Sequence, residues 1–256
     1  MGKSFSTNLI KAIEYLSLPF QYPSRFWELG QRIFFDRELT HELARLTPQR
    51  DWFKGIQLET IIDVGAYIGS FAYAMRVLLP EAQIYSFDPM QENIQKLTHA
   101  MAGDSKFKIY QTALGEKKGT IEFWKSSFMA SSSVLEMEEL HKQAFPESSE
   151  NTKVEVPVAR LDDFLGEIVL GKKVLLKIDV QGYELEVLRG ADAALKNIQY
   201  IISEVSYLQL YQKQALFDDV YQYLFKKGFV FGGLFDSLLS PKDGSILQSD
   251  ALFFRP

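Results

Sequence analysis

The stretch Thr60-Ile-Ile-Asp-Val-Gly-Ala-Tyr-Ile-Gly-Ser-Phe71 constrains this chain more than any other. Thr60 to Val64 is β-branched apart from Asp63, the composition of a strand buried on both faces. Gly65 and Gly69 bracket a tight turn, and Phe71, Met75 and Leu78 follow at helical spacing. Strand, glycine turn and helix together make the first unit of a doubly wound sheet. Two glycines at the carboxyl end of that strand let a ligand approach the backbone beside the helix amino terminus. A turn that only packs strand against helix has the same look, so the pattern speaks to fold before function.

Beyond this unit the chain alternates strand and helix. Ala82 to Phe87, Phe107 to Ala113, Val174 to Ile178, Tyr200 to Ser203, Phe229 to Phe235 and Ala251 to Phe254 read as strands, which with Thr60 to Val64 makes seven. The last two read as an antiparallel hairpin. Stripes at Glu92 to Ala100, at Leu188, Ala191 and Leu195, and at Leu216, Val220 and Leu224 supply helices. The expectation is an α/β fold, a Rossmann-like, doubly wound, seven-stranded sheet with its last strand antiparallel. Val154 to Val158 alternates as an edge strand, compatible with Pro157, and Thr120 to Trp124 follows a glycine-bracketed turn.

Residues 1–54 lack strand alternation. Apolar stripes at Leu9, Ile13 and Leu16, at Phe26, Leu29 and Ile33, and at Leu39, Leu43 and Leu46, broken by Pro19, Pro23 and Pro48, predict a helical amino-terminal cap on a core of residues 55–256. The cap aromatics Phe20, Tyr22, Phe26, Trp27, Phe34 and Phe35 are expected to pack between helices rather than line a substrate mouth. Residues 126–152 are serine-rich and polar around a short helical stretch, Leu135 to Gln143, and read as a lid.

Composition narrows the function classes. At 46% hydrophobic and 14% aromatic residues, the chain can fill a sizeable core. A net charge of −5 gives no general field for nucleic acid, and no basic stripe interrupts the sequence. Without cysteine there is no disulfide, thiolate metal site or thiol nucleophile. Lys11 and Glu14 interrupt the first apolar stripe, so no signal-peptide core forms, and no apolar run is long enough for a membrane span. The expectation is a soluble cytoplasmic protein, with homo-oligomerisation left open.

In an open α/β sheet, ligands bind beyond the carboxyl ends of the strands. Asp63, Asp88, Asp179 and Glu204 all fall there, and acids after apolar strands are costly unless solvated or used. A dinucleotide fingerprint needs G-x-G-x-x-G; here the turn is Asp63-x-Gly65-x-x-x-Gly69, with Tyr67 where a bare backbone is needed. S-adenosylmethionine carries no phosphate but has an amino-acid end, a ribose and a sulfonium, for which a carboxylate at the turn is suited. Asp88 stands where an acid accepts the ribose hydroxyls of either cofactor.

Phe87-Asp-Pro89 with Asn93, the turn Leu161-Asp-Asp163, and above all Leu176-Lys-Ile-Asp-Val-Gln-Gly-Tyr-Glu-Leu-Glu-Val-Leu-Arg-Gly-Ala191 resemble the FkbM family of S-adenosylmethionine-dependent methyltransferases. The resemblance spans about residues 61–204 and the closing Asp250-Ala-Leu-Phe-Phe254; the cap lies outside it. Tyr67 and Gln181 depart from the asparagine and glutamate usual in the family. The resemblance implies O-methylation of a small-molecule hydroxyl, on a sugar or secondary metabolite. It implies a cofactor set of Asp63, Gly65, Ala66, Tyr67, Gly69, Asp88, Pro89, Asn93, Thr112, Ala113 and Asp179.

An alcohol is a poor nucleophile at neutral pH, so a base near the transferred methyl would help. Asp179 leads as candidate, then Glu204, with Lys177 on the same face as Asp179 and His141 in the lid as a further base. Asp179 and Glu204 could instead hold Mg²⁺, although two acids are a thin ligand set. His41 and His99 show no ligand spacing, and His99 reads as structural. Competing readings are an NAD-dependent oxidoreductase and a non-catalytic S-adenosylmethionine-binding partner protein that docks through the aromatic cap.

Overall fold

The computed structural model describes residues 13–126, 132–145 and 151–256. At its centre β1 (Thr60–Val64) and β7 (Val174–Ile178) lie side by side and parallel, every residue of both buried. Alternation sorts their side chains. Ile61 and Leu175 face one hydrophobic core, while Ile62, Val64, Leu176 and Ile178 face another. Two-sided burial explains why both strands read as unbroken apolar runs.

The sheet extends from this centre through β2 (Gln83–Phe87) and β3 (Phe107–Tyr110) on one side. On the other it runs through β8 (Tyr200–Ser206), β10 (Ile246–Phe254) and β9 (Val230–Leu239), in the order β3-β2-β1-β7-β8-β10-β9. The pairs from β3 to β8 are parallel; β10 inserts between β8 and β9 and is antiparallel to both. The sheet is thus the seven-stranded, doubly wound one expected, with its last strand reversed. That reversal brings the beginning of β10 to the carboxyl end of β8, pairing Asp250 with Glu204 and Gln248 with Ser206.

On one face, α5 (Ser70–Leu78) and α6 (Gln91–Ala100) share a core with α1 (described from residue 13 to 21), α2 (Phe26–Phe35), α3 (Arg37–Leu46) and α4 (Arg50–Ile56). Leu39, Leu43 and Leu46 are buried as their stripe predicts. The first stripe is out of phase: Tyr15, Leu18 and Tyr22 are buried while Ile13 and Leu16 are exposed, and Leu9 lies outside the described residues. Of the cap aromatics, Tyr22 packs inward, its hydroxyl 3.0 Å from Thr47 Oγ1, whereas Phe20, Trp27, Phe34 and Phe35 are exposed. On the opposite face α8 (Glu184–Arg189) and α9 (Phe217–Lys226) bury Val187, Leu188, Val220 and Leu224.

Two local readings are corrected. The expected strand Phe107 to Ala113 divides at Gln111. There Thr112 N–H donates back to Tyr110 O (3.1 Å), and the chain leaves the main sheet to form β4 (Ala113–Leu114). β4 pairs with β6 (Asn151–Ala159), which pairs in turn with β5 (Gly119–Ser126), so the expected edge strand belongs to a separate three-stranded sheet. Residues 132–145 of the expected lid are packed onto the core. Ser133 bridges to Trp124, and Met137 bridges to Tyr211 within a cluster that includes Leu210 and Leu247. Residues 127–131 and 146–150 of that stretch lie outside the described residues.

Candidate active site

The turn after β1 is built on left-handed backbone at Gly65 (φ +80°), Tyr67 (+50°) and Gly69 (+93°). At Gly65 the requirement is also steric, since a Cβ there would stand 1.8 Å from the carbonyl oxygen of Asp179. The carboxyl ends of β1 and β7 therefore meet backbone to backbone. Tyr67 pays the usual strain of a non-glycine residue in this region, and its backbone N–H donates to Asp88 Oδ2 at 3.0 Å. Its side chain turns outward, the hydroxyl donating to Glu38 Oε1 on α3 at 3.0 Å, which ties the turn to the cap.

Asp88 directly follows β2. Its Oδ1 accepts from Met90 N–H (2.9 Å) and Asn93 Nδ2 (3.0 Å). Burial pushes its carboxyl up to about 6 against these hydrogen bonds. Three donors do not exhaust the roughly four lone-pair sites of a carboxylate, so it can still accept from a ligand. A cleft of about 200 Å³ opens in front of it. Its wall contains Gly65, Tyr67, Asp88, Pro89, Asn93, Thr112, Ala113 and Asp179 from the expected cofactor set, together with Phe123, Val134 and Gln181.

Three expected cofactor residues stand outside that wall. Ala66 and Gly69 close the turn on each other, with Gly69 N–H donating to Ala66 O at 2.9 Å. Asp63 is fully buried beneath the turn, in register with Lys177 on β7. Ser86 Oγ reaches its Oδ2 at 3.5 Å, and Oδ1 has no hydrogen-bond partner among the described residues. Burial pushes this carboxyl up to about 7, the Lys177 ammonium opposing.

Asp179 also forms part of the wall of a second cleft, of about 220 Å³. Glu204 lines it from β8, Asp236 from β9, and Gln248 and Asp250 from β10, while α3 contributes His41, Glu42 and Arg45. Glu204 does not end its strand, as expected, but sits inside β8 beside Asp250.

Between the two clefts lies one hydrogen-bonded cluster. Lys177 Nζ donates to Asp179 Oδ2 at 3.0 Å. Gln181, left-handed at φ +56°, donates Nε2 to Asp179 Oδ1 and to Glu204 Oε2, both at 2.9 Å. Gln181 Oε1 accepts from the Tyr211 hydroxyl at 2.8 Å, and Gln248 Nε2 donates to Glu204 Oε2 at 2.9 Å. Burial acts to raise the Asp179 carboxyl, but the Lys177 ammonium and the bonds from Gln181 and Lys177 hold it below the ordinary value. Glu204 is pushed well above its ordinary value by burial and then by the charges of Asp179, Glu184 and Asp250. Lys177 and Gln181 thus favour the ionised form of Asp179, while burial and its acidic neighbours favour the protonated form of Glu204.

His141 is not part of this cluster. It is buried on α7 (Glu139–Ala144), its ring 5.2 Å from Tyr211 and 5.3 Å from Phe145, and it lines neither cleft. His99 is exposed on α6. Asp179 and Glu204 converge, but among the described residues no group of three or more carboxylates or imidazoles is arranged to hold a metal ion. Sequence reasoning missed Glu42, Arg45, Asp236 and Gln248. The one readable signal was Glu42-x-x-Arg45, polar residues that flank the buried Leu39, Leu43 and Leu46 of α3.

Residues 63–231 match the family model of the methyltransferase FkbM domain. The chain belongs to the FkbM methyltransferase family. Among curated relatives, it is 27% identical over 160 residues to the 2-O-methyltransferase NoeI of Sinorhizobium fredii, covering 60% of this chain and 66% of that protein. It is 32% identical over 144 residues to Methyltransferase 1 of Beauveria bassiana, covering 52% of this chain and 58% of that protein. The chain thus matches less than two thirds of the length of either relative. Among solved structures, magnesium protoporphyrin IX methyltransferase (ChlM) from Synechocystis PCC 6803, with bound SAM, aligns with a TM-score of 0.46 at 10% identity, over 84% of this chain and 79% of that one. The FkbM match ends before Asp236 and begins after α3, so the second cleft combines Asp179 and Glu204 of the family region with residues outside it.

Proposed function

We propose that this FkbM-family protein is an S-adenosylmethionine-dependent O-methyltransferase acting on a hydroxyl of a small molecule. The observation that carries the reading is Asp179 standing in the wall of both clefts. The first cleft fits the cofactor by its donors and shape. Asp88 keeps acceptor capacity for ribose hydroxyls, and Phe123 and Val134 offer apolar surface for a base. When bound, the cofactor supplies an electrophilic methyl on a sulfonium.

The chain's own residues then have the acceptor to position and its proton to handle. Asp179, kept ionised by Lys177, accepts a hydrogen bond from an acceptor hydroxyl in the second cleft and takes its proton as the new O–C bond forms. A depressed carboxylate is a weak base, but the hydroxyl becomes strongly acidic as its oxygen is alkylated, so a weak base is sufficient. Glu204, whose protonated form is favoured by burial and by its acidic neighbours, serves as a hydrogen-bonding partner rather than the leading base.

Calorimetry with S-adenosylhomocysteine and with NAD tests the reading. Binding of the first and not the second is expected; the reverse preference overturns it in favour of an oxidoreductase. Binding without formation of any methylated product across hydroxyl acceptors would instead favour a non-catalytic partner protein.

A further inference from the structure

The second cleft places a condition on its ligand. Among the described residues, five carboxyl groups line it, those of Glu42, Asp179, Glu204, Asp236 and Asp250, against a single lining guanidinium. That guanidinium is already committed. Arg45 bonds both carboxylate oxygens of Glu42, reaches Asp250 Oδ2 at 2.7 Å, and lies 3.5 Å from Asp236 Oδ2. Lys177, the next nearest cation, is engaged by Asp179 at 3.0 Å. An anionic ligand would therefore meet an excess of carboxyl groups with both Arg45 and Lys177 already engaged, leaving only the His41 imidazole among the described lining side chains as a further basic group, a costly arrangement in a partly buried cleft.

Hydroxyl groups meet the opposite situation. Each can donate to a carboxylate oxygen, in bonds strengthened by the acceptor's charge. Ser237 and Ser249, whose hydroxyls lie 2.7 Å apart, and Gln248 add groups that both donate and accept. Polar side chains dominate the lining, and among the described residues Leu238 is its only large apolar member. Three of its elements, α3, β9 and β10, supply lining residues outside the stretch matched to the family model.

Resting on the O-methyl-transfer reading, we propose that the second cleft is the acceptor site and selects an uncharged, hydroxyl-rich ring over the same ring bearing a carboxylate or phosphate. Glu42 is the discriminating residue because it occupies Arg45. Removal of the Glu42 charge would leave Arg45 held by Asp250 and Asp236 alone and take one negative charge from the cleft, which eases entry of an acidic acceptor.

The test uses methyl glucoside, galactoside and mannoside, each beside its uronate and its 6-phosphate. Binding is read by saturation-transfer NMR in the presence of S-adenosylhomocysteine, and methylation by mass spectrometry with S-adenosylmethionine. At least one neutral glycoside should bind and be methylated about tenfold or more faster than its acidic counterparts. Equal or faster methylation of an acidic ring overturns the proposal, as does failure of every neutral glycoside to bind. Calorimetry with S-adenosylhomocysteine on the same preparation separates the two readings: cofactor binding without glycoside binding overturns the acceptor assignment alone, and no cofactor binding overturns the methyltransferase reading itself. In Glu42→Gln, which keeps the side-chain size and one acceptor for Arg45, the handicap of the uronate should shrink about fivefold or more, with S-adenosylhomocysteine affinity retained. An unchanged ratio in that variant, with thermal unfolding like the parent's, overturns the role of Glu42.

Discussion

Gln181 donates one side-chain amide to two acids, Asp179 and Glu204, and holds them close enough that both cannot ionise easily. Lys177 decides which one does, since it bonds Asp179 alone. The consequence for kinetics is an unequal pair of amide substitutions. Asp179→Asn should lower turnover about 10²–10⁴-fold, the range for loss of a positioned proton acceptor, with cofactor affinity little changed. Glu204→Gln replaces a group whose neutral form burial and its acidic neighbours favour, so steady-state kinetics should show a smaller loss; equal losses would contradict this difference between the two acids. At the turn, Gly65→Ala forces a Cβ against the Asp179 carbonyl from a left-handed backbone. Destabilisation of about 1–3 kcal/mol by denaturant titration, with loss of S-adenosylhomocysteine binding, is expected. Asp88 and Asp179 were legible in the chain because strand ends in an α/β sheet face ligands, whereas Glu204, read as ending its strand, reaches the site from inside β8. Asp63 sits at such an end yet lines neither cleft, because the side chains of a strand alternate and the pattern of residue types does not show which face opens to the ligand.

At the scale of elements, α3 links the cap to the site. One side buries Leu39, Leu43 and Leu46 in the same core as Phe71 and Met75 of α5, while Glu38, Glu42 and Arg45 reach the turn and the second cleft. The cap therefore contributes to both stability and the site. Leu43→Ala should cost about 2–5 kcal/mol in chemical denaturation, as a fully buried leucine in a continuous core does. A loss well below 1 kcal/mol would mark the cap as a loosely attached appendage. The stripe on α3 was readable because leucines recur without competing aromatics. On α1 and α2 aromatics crowd every face, and periodicity alone could not tell that Tyr15, Leu18 and Tyr22 turn inward while Phe20 and Trp27 stay exposed. The seven main-sheet strands were legible from their apolar runs. The small sheet of β4, β5 and β6 was not, because its pairing depends on a bend at Gln111 that no residue pattern announces.

Across the whole molecule, the buried acids make stability depend on pH in a direction that can be worked out. Asp63 is raised from 3.8 to about 7 on folding, so its contribution is fully present below about pH 4 and is lost as pH rises towards 7. Asp63→Asn removes that titration. Parent stability measured against the variant's should therefore fall between about pH 4 and pH 7 and then level off; a difference that rises over that interval would contradict a buried, raised carboxyl. The fold brings the first cleft, formed at the ends of β1, β2 and β7, against the second, formed where β8 and β10 meet α3, with Asp179 between them. That juxtaposition is the central claim, and a crystal structure with S-adenosylhomocysteine tests it most directly. The ribose hydroxyls should lie within hydrogen-bonding distance of Asp88, and the sulfur should point past Asp179 into an open second cleft. A nucleoside lodged in the second cleft, or a sulfur directed away from Asp179, would contradict the account.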